Sequence, residues 1–342
     1  MFKLLFYLIL ISFLIYIDNK GFKLLINIRN IFISLYDFKT MWPDFYKIYG
    51  KNYLNLYIIA HKDFKNDITN KFYKILCDNP KQLNSSYPLE IIFSNKGNEL
   101  YSRKKGYSEG SKMFYIWKQY KNKKITSKYV GFNHYRRIFS FVNDIPNLEK
   151  IFKNYDVILN NHVILNMTIK EQYYENHNGD DIESVLNIIK EKFPEYYKSA
   201  LKVLNSTKIY FCNIFIMKSD DFIKYGNFVF PTLLEFDKKY KFKNDKDVKN
   251  YVKTINKYKK INIYNKTYEN IISEQSRLEG YLLERLSNIF YYHHFKKIYE
   301  VRFQSKSKRI FIKILEIIIF FLLIFSLQKE KRKNKKLKIK IN

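Results

Sequence analysis

The chain has 342 residues, with 62 Lys and Arg against 32 Asp and Glu, a formal net charge of +30 and an aromatic content of 18%. That length and apolar content suffice for one large core or two modest ones without disulfides, and the two cysteines, Cys77 and Cys212, sit in no C-x-x-C pair, so a disulfide scaffold, a zinc site and thioredoxin-like chemistry are unsupported and both read as packing residues. The charge invites a nucleic-acid role through phosphate neutralisation, yet the lysines are spread along the chain amid abundant Asn, Ile, Tyr and Phe, as an AT-rich coding bias produces, and no common nucleic-acid motif is present, so no nucleic acid is expected as a partner.

In chain order, Phe2 to Ile17 is almost continuously apolar after Lys3, but shorter than the roughly 20 residues of a membrane-spanning helix. The stretch after it, Asp18 to Lys23, lacks the small-x-small site of a cleavable signal peptide. Phe22 to Tyr36 carries Leu24, Leu25, Ile28, Ile31, Phe32 and Leu35 at helical spacing, the pattern of an interfacial helix. Residues 1–50 are therefore expected to form a membrane-associating segment.

Leu54 to Ala60 reads as a first strand that ends at His61 and Lys62, where the chain turns over a ligand. Ile91 to Ser94, Tyr129 to Asn133, Val157 to Leu159 and Tyr210 to Met217 read as further strands, with a helix from Glu109 to Tyr120 between the second and third. Strands alternating with helices imply an α/β fold, a mostly parallel sheet flanked by helices, whose ligands collect at the carboxyl ends of the strands. At the far end Ile310 to Leu327 is apolar apart from Lys313, Glu316 and Ser326, and a polybasic tail follows. The tail places its flank on the cytoplasmic side by the positive-inside rule. Lys306, Lys308 and Arg309 give the other flank the same preference, as in a helix lying in the interface. The expected divisions are 1–50, a catalytic-type domain over 51–305, and a hydrophobic helix with basic tail over 306–342. An anionic membrane surface is the expected partner of the two ends.

Only nine of the basic residues are arginine, and Arg136, Arg137, Arg277 and Arg285 fall in two short blocks. In Y-V-G-F-N-H-Y-R-R-I-F an apolar strand stops at His134, Tyr135, Arg136 and Arg137. Adjacent guanidiniums match phosphate oxygens two at a time and stay charged; surface salt bridges after an ordinary strand explain them equally well on spacing alone. Among carboxylates, Asp180 and Asp181 read as a turn or helix start and Asp220 and Asp221 as an N-cap. His177 lies one turn before Asp181 if that stretch is helical. Arg277, Tyr281, Glu284 and Arg285 share one helix face, either as a polar surface or as an internal network that pins the helix. Glu109 either touches substrate or caps the helix it opens, and Asn213, inside an apolar strand, must find partners for its amide. His293 and His294 show no ligand spacing.

The block at His134 resembles the G-L-C-H-Y-R-R-Y-F signature of a family of bacterial capsule and cell-envelope glycosyltransferases long catalogued only as a domain of unknown function. Collinear blocks accompany it: Tyr107, Ser108 and Glu109 ahead of Tyr115, Ile116 and Trp117; Asn154 to Ile158; Tyr173, His177 and Asp181; Phe193 to Tyr196, similar to a Y-P-E-Y helix end; Cys212 to Met217; and Arg277 with Gly280 to Leu286. The resemblance spans roughly residues 54–295. It implies a GT-A-like nucleotide-diphospho-sugar transferase fold, with hydrophobic N- and C-terminal helices added here.

The implied activity is sugar transfer from a nucleotide-diphosphate donor to a lipid-linked or surface-glycan acceptor in capsule, lipopolysaccharide or envelope polysaccharide synthesis. The chain is expected at the membrane with its catalytic domain cytoplasmic. Such folds usually hold a divalent cation, Mn or Mg, on an Asp-x-Asp; His134 to Arg137 stand in that place, and metal dependence is left open. On this reading Arg136 and Arg137, with His134, stabilise the departing diphosphate. Glu284, then Asp181, is the candidate general base. His61, Lys62, Glu109, Tyr135 and Asn213 attend the donor, and His177, Arg277, Tyr281 and Arg285 the acceptor or the groups behind it. The family's G-D-N-I-S segment appears as Ser94 to Asn98 without its aspartate. That departure and the missing Asp-x-Asp keep an alternative alive, a non-catalytic membrane-associated scaffold of the same fold that binds lipid or protein.

Overall fold

The computed structural model describes residues 50, 52–64, 68, 70–79, 81, 83, 87–141, 145, 147–260 and 267–304. Of the two hydrophobic ends expected at 1–50 and 306–342, all but Gly50 lies outside the described residues. Among the described residues no helix is long and apolar enough to cross a membrane.

In chain order the elements are β1 (Leu54–Ile59), β2 (Tyr73–Cys77), β3 (Glu90–Phe93), a 3-10 turn (Tyr101–Arg103), α1 (Lys104–Tyr107), α2 (Gly110–Lys121), β4 (Tyr129–His134) and β5 (Ile138–Phe139). There follow α3 (Leu148–Phe152), β6 (Val157–Asn160), β7 (Val163–Ile164), α4 (Ile169–Asn176), α5 (Gly179–Lys192), α6 (Pro194–Leu204) and β8 (Lys208–Ile209). The rest is β9 (Phe215–Lys218), α7 (Ser219–Tyr240), α8 (Asp245–Thr254), α9 (Asn256–Lys260), α10 (Tyr268–Gln275), α11 (Leu278–His294), β10 (Ile298–Val301) and β11 (Phe303–Gln304).

Seven strands form the central sheet in the order β10-β6-β9-β4-β1-β2-β3. All pairings in it are parallel except those of β9, which runs antiparallel to both β4 and β6. Every residue of β1 is buried, as a strand covered on both faces requires. Its side chains alternate between two cores. Tyr57 and Ile59 join Val130, Phe132, Phe215 and Met217 beneath α2, α5, α6, α7 and α11, whereas Leu54, Leu56 and Ile58 join Tyr129, Ile158 and Ile216 beneath α3 and the loops at Phe64 and Phe72. Gly131 sits where strands crowd: a Cβ there would lie 2.7 Å from the Phe215 carbonyl and 2.6 Å from Leu56.

The chain builds β1, β2 and β3 outward in one direction and then crosses back to lay β4 on the other side of β1. That reversal opens a crevice at the carboxyl ends of β1 and β4, the place where ligands bind in open α/β sheets. The α/β class, the mostly parallel sheet and the GT-A-like arrangement expected from the sequence are all present.

Helix starts follow local chemistry. Thr168 and Glu171 form a reciprocal capping box before α4, and Asn244 and Asp247 another before α8. Pro194 opens α6, so the Phe193–Tyr196 stretch, similar to a helix end, both closes α5 and begins the next helix. Lys218 is the residue ahead of α7, and Asp220 and Asp221 lie inside its first turn instead of capping it. Asp221 accepts from His294 at 3.0 Å, while His293 pairs with Ser199 at 3.1 Å.

One buried charge network ties α1, α7 and α11 together. Arg103, 3% exposed, grips Asp237 at 2.7 and 3.1 Å, donates to the Phe242 carbonyl at 2.9 Å and pairs with the fully buried Glu279. Tyr107 donates to Asp237 Oδ2 at 2.7 Å, the oxygen that Arg103 Nη1 also holds.

Candidate functional site

The crevice is lined by the ends of β1 and β4. A tight reversal joins β4 to β5: His134 N–H donates to Arg137 O at 3.1 Å and Arg137 N–H returns to His134 O at 2.8 Å. Tyr135 N–H still donates to Ile59 O at 3.1 Å, so the turn stays anchored to β1. The Tyr135 ring is buried and meets His61 edge-on at 4.9 Å, with Arg136 5.3 Å over its face. His61 and His134 face each other at 6.3 Å between ring centroids. Arg136 and Arg277 are exposed, and neither has a carboxylate partner among the described residues.

The charges acting on the two histidines are of one sign. Burial, then the charges of Arg136, His61, Arg137 and Arg277, push His134 down to about 3. His61 is lowered by partial desolvation first, then by Lys112, Arg136, Lys62 and Arg277. Cationic groups from β1, the β4–β5 turn, α2 and the start of α11 thus converge on one spot.

Next to it stands a polar turn that the sequence reading had as continuous strand from Tyr210 to Met217. The strand breaks because Cys212 and Asn213 adopt left-handed backbone, φ 74° and 48°, a conformation that side-chain-bearing residues hold only when their surroundings enforce it. Those surroundings are specific. Glu284 Oε1 accepts from Cys212 N–H at 2.9 Å, Arg137 Nη1 donates to Cys212 Sγ at 2.9 Å, and Asn213 donates to Glu109 at 3.0 Å while accepting from Ser287 at 2.7 Å. The structure therefore brings His61, His134, Tyr135, Arg136, Arg137, Asn213, Glu109 and Glu284 together. Glu109 makes no side-chain cap to α2, which removes the capping alternative. Burial raises the Glu284 carboxyl, and Arg285 at 3.2 Å pulls the other way. Arg277 donates to Ser108 at 2.8 Å, and Arg285, 1% exposed, reaches Gln172 at 2.5 Å and the Tyr281 carbonyl at 3.1 Å. Arg285 thus belongs to the pinning network. Lys62 is exposed beyond His61.

Asp181 does not join them. His177 ends α4 in an extended conformation and Asp181 starts α5, so the two are not one turn apart on a helix. His177 stacks on Tyr281 at 4.0 Å, and burial pushes it down to about 4. Asp181, 1% exposed, accepts from Tyr251 at 2.6 Å and Asn178 at 3.2 Å; a base must be reachable by its substrate, so this candidate is withdrawn. Burial lifts its carboxyl to about 7. The fold therefore holds a proton there that the unfolded chain, titrating near 4, has lost, and this group's contribution to stability declines as pH rises from about 4 to about 7. Asp181→Asn should remove that decline, read as a flatter pH dependence of the urea midpoint; an unchanged slope contradicts it.

A cation fits this site poorly. Among the described residues no three His, Cys, Asp or Glu side chains are grouped to hold a metal ion, and the guanidiniums of Arg136 and Arg137 at the β4 end repel one. No step is routed through a metal.

Sequence reasoning missed several contributors. Lys112, on the buried face of α2, pairs with Asp78 at the end of β2 at 2.5 Å, and Ser94 donates to the same carboxylate at 3.1 Å. The signal was present: a lysine at an apolar helix position needs a buried partner. Strand β2, Y-K-I-L-C, was also overlooked between its polar flanks. Cys212, read as packing, touches Arg137.

The described fold resembles that of the WbbM bifunctional glycosyltransferase in its apo form, with a TM-score of 0.52 and 20% identity over 74% of this chain and 45% of that one. The chain thus spans less than half of that protein, and the likeness is one of fold. The mannosyltransferase Ktr4p from S. cerevisiae aligns at a TM-score of only 0.26, with 12% identity over 51% of this chain and 59% of that one. No curated protein matches. The sequence pattern of one family covers residues 55–258, well over half of the chain, and on that ground the chain belongs to the family described as Domain of unknown function (DUF4422).

Proposed function

We propose that the chain is a glycosyltransferase that moves a sugar from a nucleotide-diphosphate donor to a lipid-linked or surface-glycan acceptor in cell-envelope polysaccharide synthesis. The observation that carries this reading is the convergence of Arg136, Arg137 and Arg277 on His134 at the sheet's switch point, with no carboxylate on Arg136 or Arg277 among the described residues. Arg136 and Arg277, without a carboxylate among the described residues, call for an anion of phosphate geometry. The fold likeness to a glycosyltransferase supports a nucleotide diphosphate as that anion.

In the proposed reaction the bond between the anomeric carbon and the diphosphate breaks and its electron pair goes to the diphosphate oxygen. Arg136 and Arg137 gain interaction as that charge develops. Glu284 and Glu109, which accept from the Cys212 N–H and the Asn213 amide at this turn, are the carboxylates proposed to act on the acceptor hydroxyl. The apolar and polybasic ends of the sequence support attachment to an anionic membrane surface, with the catalytic part on the cytoplasmic side.

A thermal-shift series tests the reading. A nucleoside diphosphate at about 100 times its dissociation constant should stabilise the protein by about 2.7 kcal/mol, a shift of several degrees. Arg136→Ala should abolish the shift. Stabilisation by no nucleotide favours the scaffold alternative instead.

A further inference from the structure

Resting on that donor reading, we infer that a nucleotide sugar enters the crevice together with one proton, which His134 takes and holds as an imidazolium against the diphosphate. Among the described residues the charges that act most on this ring are positive. Arg136 and Arg137 stand on its own turn, His61 faces it from the end of β1, and Arg277 approaches from the start of α11. Lys62 and Lys112 add their charges behind His61. The acids nearby are already engaged: Asp78 by Lys112, Glu109 by Asn213, and Glu284 by the Cys212 N–H and Arg285. An imidazolium has no carboxylate counter-ion there among the described residues, and burial first, then these positive neighbours, lower His134 to about 3.

A diphosphate reverses that field. Each phosphate charge at contact distance acts on the ring with the opposite sign to a guanidinium and a comparable size. Two of them outweigh the positive neighbours of the ring and favour its protonation. The geometry leaves room for the proton. Arg136 N–H approaches His134 Nδ1 at 3.5 Å, a long contact that gives up little when Nδ1 becomes a donor. Nδ1 is thus the acceptor of the neutral ring and the atom that takes the proton. As imidazolium, His134 supplies with Arg136 and Arg137 a third positive donor to the leaving group, at the strand end where related folds place carboxylates and a cation. The proton is held, not transferred: the electron pair of the broken bond stays on the diphosphate, and His134 returns its proton to solvent when the product leaves.

Isothermal titration calorimetry in buffers of different ionisation enthalpy measures this directly. UDP-glucose and GDP-mannose are suitable probes, because their phosphates carry no titratable proton near neutral pH. The expected result near pH 6.5 is uptake of roughly half a proton or more per bound ligand, with affinity weakening by up to tenfold per pH unit above the ring's pKa in the complex. His134→Asn should bind with no uptake and a flat pH profile, whereas His61→Asn should retain uptake. Histidine-ring nitrogen NMR of the unmutated protein gives an independent reading, since one ring should move from neutral to protonated on ligand addition. Binding without net uptake overturns the inference and leaves the donor site standing, and uptake that survives His134→Asn overturns the assignment to this residue. If neither nucleotide sugar binds, the donor reading fails, and this inference with it.

Discussion

Arg136→Lys is expected to lower turnover by about a hundredfold with little change in melting temperature. Lysine keeps the charge but loses the planar fork, and a diphosphate in transit needs two donors held in fixed directions. Arg136 is exposed and its guanidinium lies over the Tyr135 ring instead of in a salt bridge, so the fold does not depend on it. Measuring kcat and KM separately sharpens the outcome: loss confined to kcat marks an interaction made mainly in the transition state, whereas a rise in KM alone marks ground-state binding. Turnover equal to that of the unmutated protein removes the catalytic role of the pair.

Arg103→Met is expected to destabilise the fold by about 3–5 kcal/mol, because it leaves two buried carboxyls, Asp237 and Glu279, without their cation. In a domain of this size that corresponds to a fall of roughly 10 °C in Tm. The cost should shrink at low pH. Burial is the largest influence raising both carboxyls, and Arg103 opposes it, so without the guanidinium they take up protons more readily still. Urea unfolding at pH 5 and pH 8 checks this, and an equal penalty at both values contradicts it. The triple variant Arg103→Met, Asp237→Asn, Glu279→Gln should recover part of the loss by removing the charges themselves. Because Glu279 follows Arg277 by two residues, the single variant should also loosen the contact between Arg277 and Ser108 at the edge of the site.

Much of this was legible in the sequence, and for identifiable reasons. The run of β1 and the abrupt polar ending of β4 announce themselves because a strand covered on both faces must be apolar throughout. Arg136 and Arg137 stood out against a lysine-rich background. Asp181 misled because sequence spacing cannot reveal a helix break, and the break at His177 turned an apparent one-turn neighbour into a group sealed under Tyr251. The left-handed pair at Cys212 and Asn213 was hidden for a different reason. Neither residue is glycine, and what holds them there comes from Glu284, Arg137, Glu109 and Ser287, all distant in sequence. Arg285 carried the signature of a site residue and is a buried strut, since composition alone cannot tell a solvent-facing guanidinium from an enclosed one.

The reversed strand β9 has a consequence for how such a protein can diversify. Its parallel neighbours deliver residues to the crevice as they leave the sheet, whereas β9 delivers Cys212 and Asn213 as it enters. The excursion between β6 and β9, with its small β7–β8 ribbon and helices α4 to α6, therefore begins and ends at the same rim. Exchange or remodelling of that module leaves the H-Y-R-R turn, anchored separately on β1, in place. In the proposed glycosyltransferase, selectivity for acceptors and capture of donors would thereby be free to drift apart over generations.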